Sequence, residues 1–171
     1  MYPFSSKGIV CVDAKGGDKM YTYAIRLKQL GFDSCVFADD DKPDELSEKK
    51  KDATTLGIPL YLCEKGLCLE AQVLKDIPWS KVAEVLACDQ EDFPTQSIDV
   101  SDDLNSRIKQ AMDDASQKNL RDEITQLAVS KKRPWFKHIP GGEFLACIVM
   151  DSIDAIYDDS VLKKNIQELI R

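Results

Sequence analysis

The chain has 171 residues, of which 43% are hydrophobic and 31% are charged, and these are the proportions of one globular domain. Its formal net charge of −7 argues against a protein that coats nucleic acid by charge alone, although it leaves a metal-dependent nucleic-acid enzyme open. No apolar run approaches the roughly 18 residues that cross a bilayer, and the N-terminal residues lack the apolar centre of a signal peptide. We therefore expect a cytoplasmic protein without a membrane partner.

The first half of the chain alternates between strand and helix patterns. Runs of apolar, often β-branched residues predict strands over 8–12, 35–38 and 58–63. Apolar residues at helical spacing, or polar runs closed by glycine, predict helices over 18–30, 44–56 and from 69 onward. Strand and helix alternating at this spacing predict an α/β fold with a parallel sheet and right-handed crossovers.

The pattern changes after Pro78 and becomes helical. Helices are predicted over 79–87, 102–129 and 161–170, and an apolar helical face is predicted over 144–156. Residues 89–130 carry 4 basic and 10 acidic side chains, which is typical of a solvated helix, loop or insertion. We therefore describe 1–171 as a single domain with three parts: an α/β core at 1–88, an acidic helical insertion at 89–130, and a basic loop with C-terminal helices at 131–171.

An acidic cluster follows the second predicted strand, where Asp39 and Asp41 stand two residues apart and so point to the same side of an extended chain. Ligands of open parallel sheets bind at the carboxyl ends of strands, and converging carboxylates are the ligands that Mg²⁺ and Mn²⁺ favour. Glu70 follows the third strand and could approach the pair from the neighbouring loop. The alternatives are an ordinary Asp-rich turn and, for Glu70, a first-turn glutamate favoured by the helix dipole.

Two basic segments have weaker interpretations. Residues 131–137 combine four cationic side chains with Trp135 and Phe136, which indicates either phosphate contact beside an aromatic side chain or an aromatic pair anchoring a surface loop. The Gly16-Gly17 turn could offer backbone N–H groups to phosphate, but a plain strand-to-helix turn is favoured because no known phosphate-binding motif is present.

The cysteines predict no metal site. They stand at positions 11, 35, 63, 68, 88 and 147. No two of them form a CxxC pair, and the chain has one histidine, His138, so a structural zinc site is not favoured. We expect reduced thiols, most of them acting as small core residues.

The order of these motifs resembles the C-terminal Toprim region of the OLD family (overcoming lysogenisation defect) of ATP-dependent nucleases. The resemblance runs from about Ile9 to the end of the chain, through VDAKGGDK, LKQLGF, VFADDDKP, LGIPLYLCEKGLCLE and KKRPWFK. It implies a Toprim-like, Rossmann-like parallel sheet with flanking helices and a helical C-terminal part. It also implies a hydrolase that cuts DNA phosphodiesters with Mg²⁺ or Mn²⁺ as cofactor.

The resemblance assigns a role to individual residues of this sequence. The family's Asp-x-Asp motif falls on Asp39 and Asp41, and its Ser-x-Glu motif falls on Cys68-Leu69-Glu70, which makes the three acids metal ligands. Its late lysine, which stabilises charge at the scissile phosphate, falls on Lys137. DNA and an ATPase domain or subunit are the implied partners, and a homodimer is compatible with the pattern.

Two departures from the family pattern leave alternatives open. Cys68 stands where the family has serine, and the chain is expected to lack the glutamate-bearing first strand and the ATPase domain that precede these motifs. A catalytically inactive Toprim-fold module that assembles with an ATPase or nuclease subunit is therefore a second hypothesis. A receiver-like phosphoacceptor domain is a weaker third, because receivers place an acidic pair after the first strand rather than the second.

Overall fold

The computed structural model describes residues 8–15, 17–42, 47–87, 102–130 and 139–170. The fold is mixed α/β and mostly helical, and its described residues contain one small parallel sheet of two strands. The chain forms two compact units, Met1–Phe37 with Lys42–Leu62 and Ala38–Asp41 with Cys63–Arg171. The α/β class is thus confirmed at this coarse level, whereas the Toprim-like arrangement of a larger sheet stays a prediction.

Short helices and strands alternate through the first unit as the sequence predicts. They are α1 Lys19–Gln29, β1 Val36–Ala38, α2 Ser47–Thr55 and β2 Leu60–Leu62, with Ala38 at the end of β1 assigned to the second unit. The end of α1 shows how a glycine terminates one of these helices. Gly31 has φ 89°, its N–H donates to the carbonyl of Lys28 at 3.0 Å, and the N–H of Phe32 donates to that of Leu27 at 3.0 Å. This pair of bonds is the Schellman ending that a glycine permits.

The first predicted strand is wrong. Residues 9–15 have no regular secondary structure, and Val10 and Val12 are 81% and 59% exposed. β-branched residues favour a strand mainly through packing against neighbouring strands, and the described residues supply no strand that pairs with this segment. The apolar sequence alone was therefore not sufficient to form one.

The described residues of the second unit form six helices. They are α3 Leu69–Asp76, α4 Trp79–Ala87, α5 Asp102–Gln110, α6 Asp114–Ala128, α7 Ile139–Asp151 and α8 Val161–Leu169, with a 3₁₀ turn at Ile153–Ala155. All six contribute to one hydrophobic core. The predicted acidic insertion takes part in this core, because α5 and α6 bury Leu104, Ile108, Leu120 and Ile124, while charged residues such as Arg107, Lys109 and Asp122 are exposed.

The predicted helix over 102–129 is two helices separated at residues 111–113. Asp113 begins the second one: its Oδ1 accepts from the N–H of Ser116 at 2.9 Å and its Oδ2 accepts from the Ser116 hydroxyl at 2.7 Å. These bonds lower the pKa of Asp113. A helical hydrophobic period continues across such a break, whereas the N-cap aspartate marks a new start.

None of the helices in the described ranges has both the length and the apolar character that a bilayer crossing requires.

Candidate functional site

Asp39 follows β1 directly and caps the N-terminus of α3. Its Oδ1 accepts a hydrogen bond from the backbone N–H of Leu69 at 2.6 Å. Cys68 occupies the N-cap position of this helix without making a side-chain cap bond, and the carboxylate of Asp39 satisfies the first N–H of the helix, that of Leu69. Negative charge is favoured at this end of a helix because the first N–H groups are unpaired there.

Backbone hydrogen bonds hold residues 38–40 beside residues 63–67. The N–H of Cys63 donates to the carbonyl of Ala38 at 3.1 Å, and the N–H of Asp40 donates to the carbonyl of Leu67 at 3.1 Å. The carbonyl of Asp40 accepts from the N–H of Gly66 at 2.8 Å. The chain leaving β1 and the chain leaving β2 therefore meet, which is the juxtaposition that the sequence predicts.

Glu70 lies in the first turn of α3 and is 6% exposed. Burial raises the pKa of the Cys68 thiol, and a side-chain hydrogen bond with Glu70 together with the charges of Glu70 and Asp39 raises it further. Burial likewise raises the pKa of Cys63 to about 12, with contributions from Asp39, Cys68, Glu70 and Asp40. Three carboxylates and two thiols are thus near enough around the start of α3 to affect one another's charge.

Asp41 does not join this group. Its side chain is exposed. Among the residues that the structure describes, no group of three or more His, Cys, Asp or Glu side chains is placed to hold a metal ion. Of the three predicted ligands, the structure brings Asp39 and Glu70 to the same helix end and leaves Asp41 in the solvated loop.

The predicted catalytic lysine, Lys137, lies outside the described residues, as does the whole basic segment 131–137. The Lys15-Gly16-Gly17 turn is described in part: Lys15 has φ 58° and its ammonium pairs with Asp13 at 2.6 Å in an exposed segment. Phosphate binding at either segment therefore stays a prediction.

Sequence reasoning missed a buried polar chain that supports the site. Gln72 is fully buried, its Oε1 accepts from the N–H of Glu64 at 2.7 Å, and its Nε2 donates to Oδ2 of Asp76 at 2.8 Å. The hydroxyl of Ser160 donates to the same oxygen at 2.6 Å. These bonds tie the turn after β2, α3 and the start of α8 together. The signal in the sequence was a glutamine and an aspartate four residues apart in a helix that is otherwise mostly apolar.

The first unit has a groove of about 460 Å³ between α1 and α2. Its charged lining residues are Arg26, Lys49 and Asp52, and the rest of the lining is polar or aliphatic. None of the predicted site residues lines this groove, so it gives no support to the predicted chemistry.

Comparison with known proteins adds no further information. No family model, curated protein or solved structure was found to match the chain. A functional assignment therefore depends on the residues at the start of α3 and on the motif order that contains them.

Proposed function

We propose that this chain is a Toprim-like, metal-dependent DNA endonuclease domain of the OLD type, which acts with an ATPase domain or subunit. The observation that supports it best is the 2.6 Å hydrogen bond from the Leu69 N–H to Asp39. It holds the first acid of the Asp-x-Asp motif against the helical turn that carries Glu70. The family pattern requires Asp39 and Glu70, which lie 31 positions apart in the chain, to be close together in the fold.

The donor atoms fit a hard divalent cation. Carboxylate oxygens suit Mg²⁺ and Mn²⁺ better than they suit soft metals, and a carboxylate has enough lone pairs for Asp39 to cap α3 and also face a cation. Glu70 is held inside the same helix turn, where burial strengthens its attraction for positive charge. In this proposal Asp41 supplies a further oxygen from the adjacent loop, and Lys137 contacts the scissile phosphate.

Each residue has a definite task in this proposal. Asp39 and Glu70 hold Mg²⁺ or Mn²⁺, which when bound would activate water and stabilise the leaving oxygen of a phosphodiester. The Leu69 N–H and the backbone bonds between residues 38–40 and 63–67 fix the position of Asp39. The buried bonds of Gln72 and Asp76 fix the helix that carries Glu70.

A second candidate function is a catalytically inactive module that keeps the fold in order to assemble with an ATPase or nuclease subunit. Two observations favour it. The described residues contain no three-ligand group, and Cys68 replaces the serine of the family motif with a side chain that is poor at binding Mg²⁺. The two candidates differ in whether the acids at the start of α3 bind a cation.

Calorimetric titration with Mn²⁺ tests the proposed site. We expect Asp39→Asn and Glu70→Gln each to weaken Mn²⁺ binding by about tenfold or more, since each removes a charge from a site of few ligands. Asn keeps an oxygen that can accept from Leu69, so the fold is preserved. Asp122→Asn, an exposed residue of α6, is the matched control and should bind as the native chain does. Identical titrations for all four proteins would reject the site.

Plasmid nicking separates the two functions. The purified chain is incubated with supercoiled DNA and Mn²⁺, alone and with candidate ATPase partners, and Glu70→Gln is run in parallel to detect a contaminating nuclease. Nicking by the native chain that Glu70→Gln lacks would reject the inactive-module alternative. Mn²⁺ binding without nicking under any of these conditions would favour that alternative instead.

A further inference from the structure

Two cysteines flank the turn that leads from β2 into α3. The turn, Glu64-Lys65-Gly66-Leu67, is closed by a 2.9 Å hydrogen bond from the N–H of Leu67 to the carbonyl of Glu64. Gly66 has φ 89°, the value of the third residue of a type II turn. Cys63 directly precedes this turn and Cys68 directly follows it.

Both legs of the turn are tied to the same short stretch of backbone. The N–H of Cys63 donates to Ala38, and the carbonyl of Leu67, next to Cys68, accepts from Asp40. Because both legs are fixed to residues 38–40, we expect the two residues that flank the turn to lie near one another. A disulfide needs Cα atoms roughly 4.4–6.8 Å apart, and the inference is that Cys63 and Cys68 can meet this requirement.

We propose that Cys63 and Cys68 are a redox pair that forms a reversible disulfide across this turn. Both are free thiols in the structure, Cys63 buried and Cys68 partly exposed. Cys68 contributes to the raised pKa of Cys63, as expected for thiols that are near one another. Cys11 likewise contributes to the raised pKa of Cys35, and both are exposed, but in the described residues no hydrogen-bonded turn holds that pair in register.

The exchange balances with a small disulfide such as oxidised glutathione as oxidant. The more accessible thiol, Cys68, loses its proton and attacks one sulfur of the reagent, forming a mixed disulfide and releasing one glutathione thiolate. Cys63 then loses its proton, attacks the Cys68 sulfur, and releases the second glutathione. The two cysteines are oxidised, and one molecule of reagent is reduced to two thiols.

Oxidation would act on the candidate site through Glu70. Cys68 stands at the N-cap of α3, two residues before Glu70. A disulfide to Cys63 would therefore tie the start of the helix that carries Glu70 to the chain leaving β2. This consequence depends on the proposed function, whereas the disulfide itself does not.

Tryptic mapping tests the pair directly because Lys65 lies between the two cysteines. Cleavage after Lys51, Lys65 and Lys75 places Cys63 in peptide 52–65 and Cys68 in peptide 66–75, each with no other cysteine. The native chain is equilibrated in glutathione buffers of increasing oxidation, blocked with N-ethylmaleimide, and digested without reductant. We expect a species with the mass of both peptides less two hydrogens, and a linked fraction several-fold higher than in the same buffers with urea.

Two variants make the result specific. Cys68→Ser keeps a hydroxyl beside Glu70 and should abolish the linked species, while Cys147→Ser, at an exposed position of α7, should leave it unchanged. Separate peptides throughout, glutathione adducts alone, or an equal linked fraction in urea would each overturn the inference. A linked pair in a protein that binds no Mn²⁺ in either redox state would overturn the proposed function and leave the redox pair standing.

Discussion

The two compact units differ sharply in how much apolar surface they bury. The second unit has a continuous hydrophobic core to which α3 through α8 all contribute. The described apolar residues buried in the first unit are Tyr21, Ala24, Val36, Ala53 and Ile58. Its exposed large apolar residues are more numerous: Ile9, Val10, Val12, Tyr23, Leu30, Phe32, Phe37 and Leu56.

This difference bears on where the candidate site gains its rigidity. Burial stabilises a fold by about 25 cal/mol for each Å² of apolar surface removed from water, so local opening should cost less free energy in the first unit. Asp39 and Glu70 both belong to the second unit. A catalytic or binding site needs supporting residues that do not shift. The candidate site lies in the second unit, whose larger core supplies this support.

The largest expected effect tests the core of the second unit. Ile124 of α6 is completely buried, and Ile124→Ala should lower the free energy of unfolding by about 2–5 kcal/mol because it leaves a cavity. Leu127→Ala is the control on the same helix, since Leu127 is 42% exposed, and it should change stability by less than about 0.5 kcal/mol. Urea denaturation followed by circular dichroism measures both, and equal effects would contradict the assigned core.

Two glycine-to-alanine substitutions, which should change the stability in opposite directions, compare the backbone of the two units. Gly57 ends α2 with φ 69°, so Gly57→Ala should destabilise the first unit by about 1–2 kcal/mol because a side chain is strained there. Gly142 lies exposed within α7 of the second unit, with open space around it, so Gly142→Ala should stabilise by about 0.5–1 kcal/mol. Hydrogen exchange resolved along the chain would locate each effect. A stabilising Gly57→Ala would show that the end of α2 is misassigned.

Local helix signals in the sequence were sufficient for much of the fold. Gly31 and Gly57 correctly mark the ends of α1 and α2, and the predicted helix over 79–87 matches α4 exactly. The strand over 8–12 failed because strand formation depends on partners far along the chain. The break at Asp113 does not show in the hydrophobic period, because that period continues through it, and capping by Asp113 is a separate signal.

The candidate site was predictable in part. Strand-end geometry predicts that Asp39 and Glu70 approach one another, and the structure places Asp39 against the N–H of Leu69, the residue before Glu70. The spacing that made Asp39 and Asp41 equivalent in an extended strand did not apply, because β1 ends at Ala38 and the chain beyond it turns. No pattern in the sequence indicated that Asp39 would cap α3, because that bond joins residues 30 positions apart.

The smallest expected effect is on the pH dependence of folding stability, and it compares one ion pair from each unit. Glu64 pairs with Lys75, eleven residues away, and this hydrogen bond is the main cause that holds the pKa of Glu64 below its ordinary value of 4.5. The stabilisation is therefore complete above about pH 4.5 and is lost as the pH falls through the lowered folded pKa. Its size should stay below about 1 kcal/mol because both side chains are partly exposed.

The corresponding pair in the first unit is Asp13 with Lys15, which also lowers the pKa of Asp13. These residues are two positions apart in an exposed segment, so the unfolded chain can make the same contact and the pair adds little to folding. Urea midpoints at pH 6 and pH 3 should therefore differ less in Lys75→Met than in the native chain, while Lys15→Met should match the native chain. If Lys15→Met reduced the pH dependence of stability as much as Lys75→Met does, residues 9–15 would have to become ordered on folding. The two units would then differ less than the burial of their apolar residues implies.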